Sequence, residues 1–361
     1  MNVVVPAFVR RFRLMGLLTV VAVYLLILVG GVVRSTGSGM GCPDWPKCFG
    51  MWVPPTDVHQ LPSDYKEIYT SQRVAKNKKL ALLLERLGFK QVAGNIFAHP
   101  TQYIETDFNA TKTWIEYVNR LLGALIGIFV FLTVVFSASY WKKDRTVFWL
   151  AFWSWILTGV QGWLGSLVVS TNLLPIMVTI HMGLALVIVA MLIYAVDRSQ
   201  KGFREVVAVA ASPSLIFWLW LAIFLTFVQI IIGTQVREQV DSVAFTVGYS
   251  NRERWIEQLG SIFYFHRTFS ILLLVVNVYV VYRLLQLRSK QLQRLAVGIL
   301  ALVGTEIMAG VTLASFAVPA TVQPIHLTIA TVLFGIQFLT AVLQRRATKV
   351  IPQATYPRVV A

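Results

Sequence analysis

The stretch IEYVNRLLG, Ile115 to Gly123, opens an apolar run long enough for a membrane helix. It nevertheless carries a glutamate, an asparagine and an arginine within one and a half turns. Far down the chain IFYFHRTFS, Ile262 to Ser270, opens another such run in the same way: aromatics, then a polar residue, then Arg. That polar residue is Asn119 in the first stretch and His266 in the second. Fold and chemistry both turn on why two similar helix starts differ at the one position able to bind a metal.

Working outward, the 361-residue chain is 57% hydrophobic and 13% charged, against about a quarter charged in soluble domains. Eight apolar runs, near 14–33, 114–138, 146–169, 176–196, 214–235, 260–284, 293–314 and 322–343, match the length that crosses a bilayer. Lipid offers the backbone no partners, so each must be helical. The first run follows Arg10, Arg11 and Arg13, but it is too long for a signal h-region and lacks a cleavage site, so it is read as a retained helix.

Basic residues cluster between runs 2 and 3 (Lys142, Lys143, Arg145), 4 and 5 (Arg198, Lys201, Arg204), and 6 and 7 (Arg283, Arg288, Lys290, Arg294), and after run 8 (Arg345, Arg346, Lys349, Arg358). The short connections on the other face, STNLLP and FAVPAT, hold none. The positive-inside rule then places both termini in the cytoplasm of a bacterial inner membrane. Loop 1, residues 34–113, is also basic, but a loop that long is translocated largely regardless of charge. The net charge of +16 is therefore a topology signal plus attraction to lipid headgroups, not a sign of nucleic-acid binding.

The eight runs read as two fours. GGVVR (Gly30 to Arg34) ends run 1 and GTQVR (Gly233 to Arg237) ends run 5; EYVNR opens run 2 and FYFHR run 6. GWLGSL (Gly162 to Leu167) in run 3 answers GVTLASF (Gly310 to Phe316) in run 7, and His181 in run 4 answers His326 in run 8. The expected fold is an all-α integral membrane protein of eight transmembrane helices, arranged as two pseudo-symmetric four-helix bundles in parallel orientation. One half covers 1–200, with loop 1 inserted as a large outer loop, and the other 201–361. Within loop 1, KKLALLLERLGF (Lys78 to Phe89) has helical spacing and fits an amphipathic connector, a surface helix or a cap. NRERWIEQLG (Asn251 to Gly260) is a similar connector.

Of five histidines, His59 and His99 sit in polar loop sequence. His181, His266 and His326 lie inside membrane runs at one depth near the outer face. Facing helices of a four-helix bundle can ligate a metal or haem between them. His266 and His326 can supply two axial imidazoles, which suits electron transfer. In the first half His181 has only Asn119 opposite, which leaves an axial side open. Glu116, one turn before Asn119, is either the partner of Arg120 at i,i+4 or an acid beside a substrate, since a carboxylate at membrane depth is costly. Glu306 in run 7 is read as a neutral, hydrogen-bonded carboxyl or a group for proton movement. Arg34, Arg120, Arg237 and Arg267 share the outer level and can snorkel or pair with propionates. Cys42 and Cys48 in GCPDWPKCFG fit a disulfide on an oxidising face, or two free thiols.

GGVVRSTGSGMGCPDWPKCFG after run 1, EYVNRLLGALIG opening run 2, and GWLGSLVVS before the run bearing His181 resemble the haem A synthase family over nearly the whole chain. The resemblance implies an oxidoreductase that converts the C8 methyl of haem O to a formyl group. It implies a haem b electron-transfer cofactor on His266 and His326, with Arg267 and Arg237 nearby. It also implies a substrate haem O in the first half at His181, Asn119, Arg120 and Arg34, with Glu116 as the functional carboxylate, and the two cysteines as the family's outer-loop pair. Partners would be the bilayer, a haem O synthase, an electron-transfer protein and a second copy of the chain. The family's usual Glu-x-x-His-Arg reads Glu-x-x-Asn-Arg here, a departure centred on Asn119. Two other readings compete. A b-type electron-transfer cytochrome would favour a bis-His site in both halves, which Asn119 breaks. In a haem-binding assembly factor without catalysis, Asn119 would mark lost activity. A transporter would call for a Gly/Pro-broken helix pair at mid-depth, which the runs lack.

Overall fold

The computed structural model describes residues 5–97, 104–171, 174–203, 213–247 and 251–348. His99, Arg204, Lys349 and Arg358 lie outside them. Among the described residues ten α-helices follow in order: α1 (Ala7–Ser35), α2 (Tyr65–Arg86), α3 (Lys90–Asn95), α4 (Ala110–Ser137), α5 (Arg145–Ser170), α6 (Pro175–Arg198), α7 (Pro213–Thr246), α8 (Ser261–Leu285), α9 (Lys290–Ser315) and α10 (Val322–Thr348). Eight of them are long and apolar enough to span a membrane, and the chain is an integral membrane protein. Helix starts follow local chemistry. Asn109, Asp144 and Ser289 accept the first free amides of α4, α5 and α9 through their side chains, and Pro175 starts α6, where its missing N–H costs nothing.

Helices α1, α4, α5 and α6 form a closed ring of neighbours, and α7, α8, α9 and α10 form another. Between the rings α1 packs on α10 and α7 on α6, the same contact under exchange of the halves, while α6 meets α10. One apolar core fills the second ring around Leu219, Val280, Ile299 and Leu333. A smaller one fills the first around Val23, Val130 and Leu192.

Two boundaries depart from expectation. The apolar pattern predicts an end of the fifth run at Gln235, whereas α7 continues to Thr246. Its last turns carry Arg237, Glu238 and Asp241, and the i,i+4 pair Arg237–Asp241 supports a helix that has left the apolar layer. Loop 1 is more than a connector. Its helix begins at Tyr65, thirteen residues before the expected Lys78, and the loop has its own core of Cys42, Cys48, Phe49, Leu61, Tyr65 and Tyr69. Leu80 and Ile96 pack on Leu174 and Met177 at the start of α6, so this segment caps the first ring. The Asn251–Gly260 stretch forms two short 3₁₀ turns that bury Trp255 against Val240 and Val318.

Candidate functional site

Each membrane histidine lies within two turns of the start of its helix, on the end that carries loop 1. At about 1.5 Å per residue they sit roughly 6–9 Å along their helices, so one level holds all three. Each ring is only partly buried, and each faces a glycine on the preceding helix. A Cβ on Gly233 would stand 3.3 Å from Cε1 of His266, one on Gly310 3.6 Å from Cε1 of His326, and one on Gly165 3.9 Å from Cε1 of His181. Gly165, not Gly162, is thus the structural counterpart of Gly310. The close approach at Gly233 leaves little room for a side chain beside the imidazole.

The second half brings two of these imidazoles together. His266 on α8 and His326 on α10 each stand eleven residues before Asn277 and Gln337, the pair that hydrogen-bonds across this ring at 2.7 Å. Gln229 of α7 donates from Nε2 to the His266 carbonyl at 3.0 Å. Glu306 of α9 places Oε2 2.9 Å from Nδ1 of His326. Nδ1 of His266 is buried without a partner. Among the described residues no group of three or more His, Cys, Asp or Glu converges as a metal cluster, so the donor set is a pair of imidazoles. That pair, partly uncovered rings and glycines in place of side chains would suit a haem held by two imidazoles.

The first half presents one imidazole. Gln161 of α5 donates to the His181 carbonyl at 2.9 Å, while Nδ1 of His181, Oε1 of Gln161 and Oδ1 of Asn119 are buried without partners. One turn earlier Glu116 is 2% exposed. Its Oε2 accepts from the Cys42 amide at 3.0 Å, and its Oε1 accepts from Arg120 at 2.5 Å. Arg120 also donates to the carbonyls of Asp44, Lys47 and Cys42 at 2.6, 3.0 and 3.0 Å. The Glu116–Arg120 pair therefore ties the outer turn to α4. Within that turn Cys42 and Cys48 form a disulfide, and Asp44 accepts from the amides of Phe49 and Gly50.

The other arginines separate. Arg34 and Arg237, matched ends of the two repeats, meet at Asp241, at 3.2 and 2.7 Å. Thr179 and Thr234 hydrogen-bond at 2.8 Å beside them, and Gln235 donates to Thr179. This polar seam joins α1, α6 and α7 between the half-sites, two residues from His181. Arg267 instead lies over the rings of Tyr264 and Phe263 and is exposed. His59 is a solvated loop residue, 92% exposed. Sequence reasoning missed Gln161, Gln229 and Asp241. For Gln161 a signal was present, since it lies 20 residues before His181 as Glu306 lies 20 before His326.

Residues 13–86 and 89–338 match the model of a family described as cytochrome oxidase assembly protein. Similar curated proteins are named heme A synthase. The one from Shewanella oneidensis is 24% identical over 67% of this chain and 62% of its own length. The one from Rhodopseudomonas palustris is 28% identical over 63% of this chain and 56% of its own. A relative from Alkalihalophilus pseudofirmus is 22% identical over 93% of this chain and 98% of its own. The matched region thus spans less than two thirds of the first two relatives and nearly all of the third.

Proposed function

The chain belongs to the cytochrome oxidase assembly protein family, and on that premise we propose that it is a haem A synthase, an oxidoreductase that converts the C8 methyl of haem O to a formyl group. The observation that carries this reading is the unequal pair of half-sites on one duplicated frame. The second half offers two imidazoles, His266 and His326, and would hold a resident haem b. That group, when bound, supplies one-electron transfer. The first half offers His181 alone, facing Asn119, and suits a haem that must enter and leave.

The chain's own residues then have distinct tasks. Gln229 and Gln161 hold the backbone at His266 and His181, and the glycines keep the ring faces clear. Loop 1 packs on Leu174 and Met177 at the start of α6, one to two turns before His181. Glu116 and Arg120 fix the disulfide turn above Asn119. With both oxygens engaged by protein donors, Glu116 acts by positioning. The Arg34–Asp241–Arg237 cluster sits between the half-sites, where the propionates of either haem would find cations. By the distribution of Lys and Arg, the histidine level faces the periplasm and both termini the cytoplasm of a bacterial inner membrane.

Expression beside a haem O synthase, with extraction and chromatography of non-covalent haem, tests the reading. Haem A should accumulate, and the purified protein should retain low-spin haem b. Haem O persisting unchanged, with haem b bound, would instead make the chain an electron-transfer cytochrome or an assembly factor.

A further inference from the structure

We propose that Glu306 is a positioning residue for the resident haem: its carboxylate orients His326 through Nδ1 and raises the electron donation of Nε2 to the iron. Gln161, at the duplicate position, leaves His181 without that support. The inference rests on the assignment of haem b to His266 and His326.

The geometry is specific to one half. Glu306 lies inside the membrane-spanning helix α9 with 15% of its side chain exposed, and its ionic partner among the described residues is His326. Its Oε1 is buried and unpartnered. A carboxylate at this depth is costly and marks function by default. Gln161 occupies the same place on α5 and uses its N–H to bond the His181 carbonyl, leaving the His181 ring alone. A carboxylate has no N–H and cannot make that bond. Exchanging Gln for Glu therefore turns the side chain from the backbone carbonyl to the imidazole. In the structure Nδ1 and Oε2 are 2.9 Å apart, although the ring N–H does not point straight at the oxygen. With Nε2 engaged by a bound haem, Nδ1 would carry the ring proton and face this carboxylate. Histidines that ligate metals regularly donate their other N–H to a carboxylate or carbonyl, which fixes tautomer and orientation and strengthens the ligand. Held this way, His326 would be a stronger ligand to a haem iron, favouring its oxidised state and its retention, as a resident cofactor needs. A substrate site gains nothing from either.

Full-length wild type and Glu306→Gln, purified with haem b, are compared by redox titration and low-temperature EPR. Glu306→Gln should keep a low-spin haem with altered EPR g-values. Its reduced-to-oxidised ratio at a fixed potential should rise about tenfold, an upward shift of about 59 mV for one electron. Loss of haem from a folded variant also supports the role. If Glu306→Gln does not fold, the uncharged Glu306→Met is measured in the same way. Haem retained with unchanged potential and g-values overturns the inference and leaves the two-site reading standing. Wild type that binds no haem overturns both.

Discussion

Arg120 is the most heavily used side chain at the outer end of the first ring, and its removal has a calculable effect. Arg120→Ala deletes the partner of a carboxylate that is 2% exposed and takes the donor from three carbonyls of the disulfide turn. Breaking one side of a buried pair costs about 3–5 kcal/mol. Arg120 keeps 13% of its side chain exposed and the opened turn can take water, so the lower figure of about 3 kcal/mol is the relevant one. At about 1.4 kcal/mol per tenfold, the open turn becomes roughly 100 times more populated. Cys42 and Cys48 are both fully buried, so reduction of their disulfide must pass through that open form. In detergent, a low concentration of a phosphine reductant followed by maleimide trapping should show Arg120→Ala reduced about 100 times faster than wild type. Arg120→Lys should fall between, because an ammonium can meet Glu116 but cannot also fork to three carbonyls. Rates for Arg120→Ala within twofold of wild type, in protein with unchanged helix content, would refute the claim that Arg120 holds this turn.

Three further outcomes are expected. His266→Ala should lose the tightly held low-spin haem, while His181→Ala should keep it and stop haem A formation, as haem content and extraction would show. Asn277 and Gln337, hydrogen-bonded at 2.7 Å and almost fully buried, occupy the positions that Val130 and Leu192 fill in the first ring. Asn277→Val or Gln337→Leu alone should therefore cost about 1–2 kcal/mol by stranding an amide, and the double substitution should restore near-wild-type stability in detergent unfolding. In loop 1, Glu105 is paired with Arg73 at 2.7 Å, yet burial pushes its carboxyl above the ordinary value against that pull. A carboxyl raised on folding gives stability that is full below the unfolded value and lost as pH rises through the folded one. Protection of α2 amides, corrected for intrinsic exchange, should fall as pH rises above about 4.5 in wild type and stay flat in Glu105→Gln.

The eight spans were legible because hydropathy alone decides which segments lipid accepts, and the repeat was legible because Asn119 and His266 lie 147 residues apart and His181 and His326 nearly the same, 145. Where charge enters, the text becomes harder to read. The outer turns of α7 carry Arg237, Glu238 and Asp241, so an apolar window stops short of them although the helix does not. Loop 1 could be read as a cap, but the core that builds it was hidden for another reason. Its core joins Phe49 to Tyr65, Tyr69 and Phe108, residues without periodicity that meet only once the turn is closed. The i,i+4 spacing of Glu116 and Arg120 announced their pair, but nothing local announced the Cys42 amide or the turn carbonyls, which come from some 75 residues away.

Comparing the halves position by position gives more than either half alone. Asn119 answers His266, Gln161 answers Glu306, and Val130 with Leu192 answers Asn277 with Gln337. Each exchange moves the second half toward a fixed polar arrangement: another imidazole, a carboxylate against an imidazole, an amide pair that pins α8 to α10. Such contacts tie helices in one register and resist the small separations that let a large planar ligand pass. The first half has the opposite character at the same places, with a neutral amide, an unsupported imidazole and an apolar contact between α4 and α6, while Thr19 and Thr133 tie α1 to α4 one turn away. A duplicated frame in which one copy is locked and the other is left free to open is what a resident cofactor beside an exchanging substrate requires. The haem-content and redox experiments examine that division directly. If both half-sites held haem equally firmly, it would be the division of labour that failed, with the fold intact.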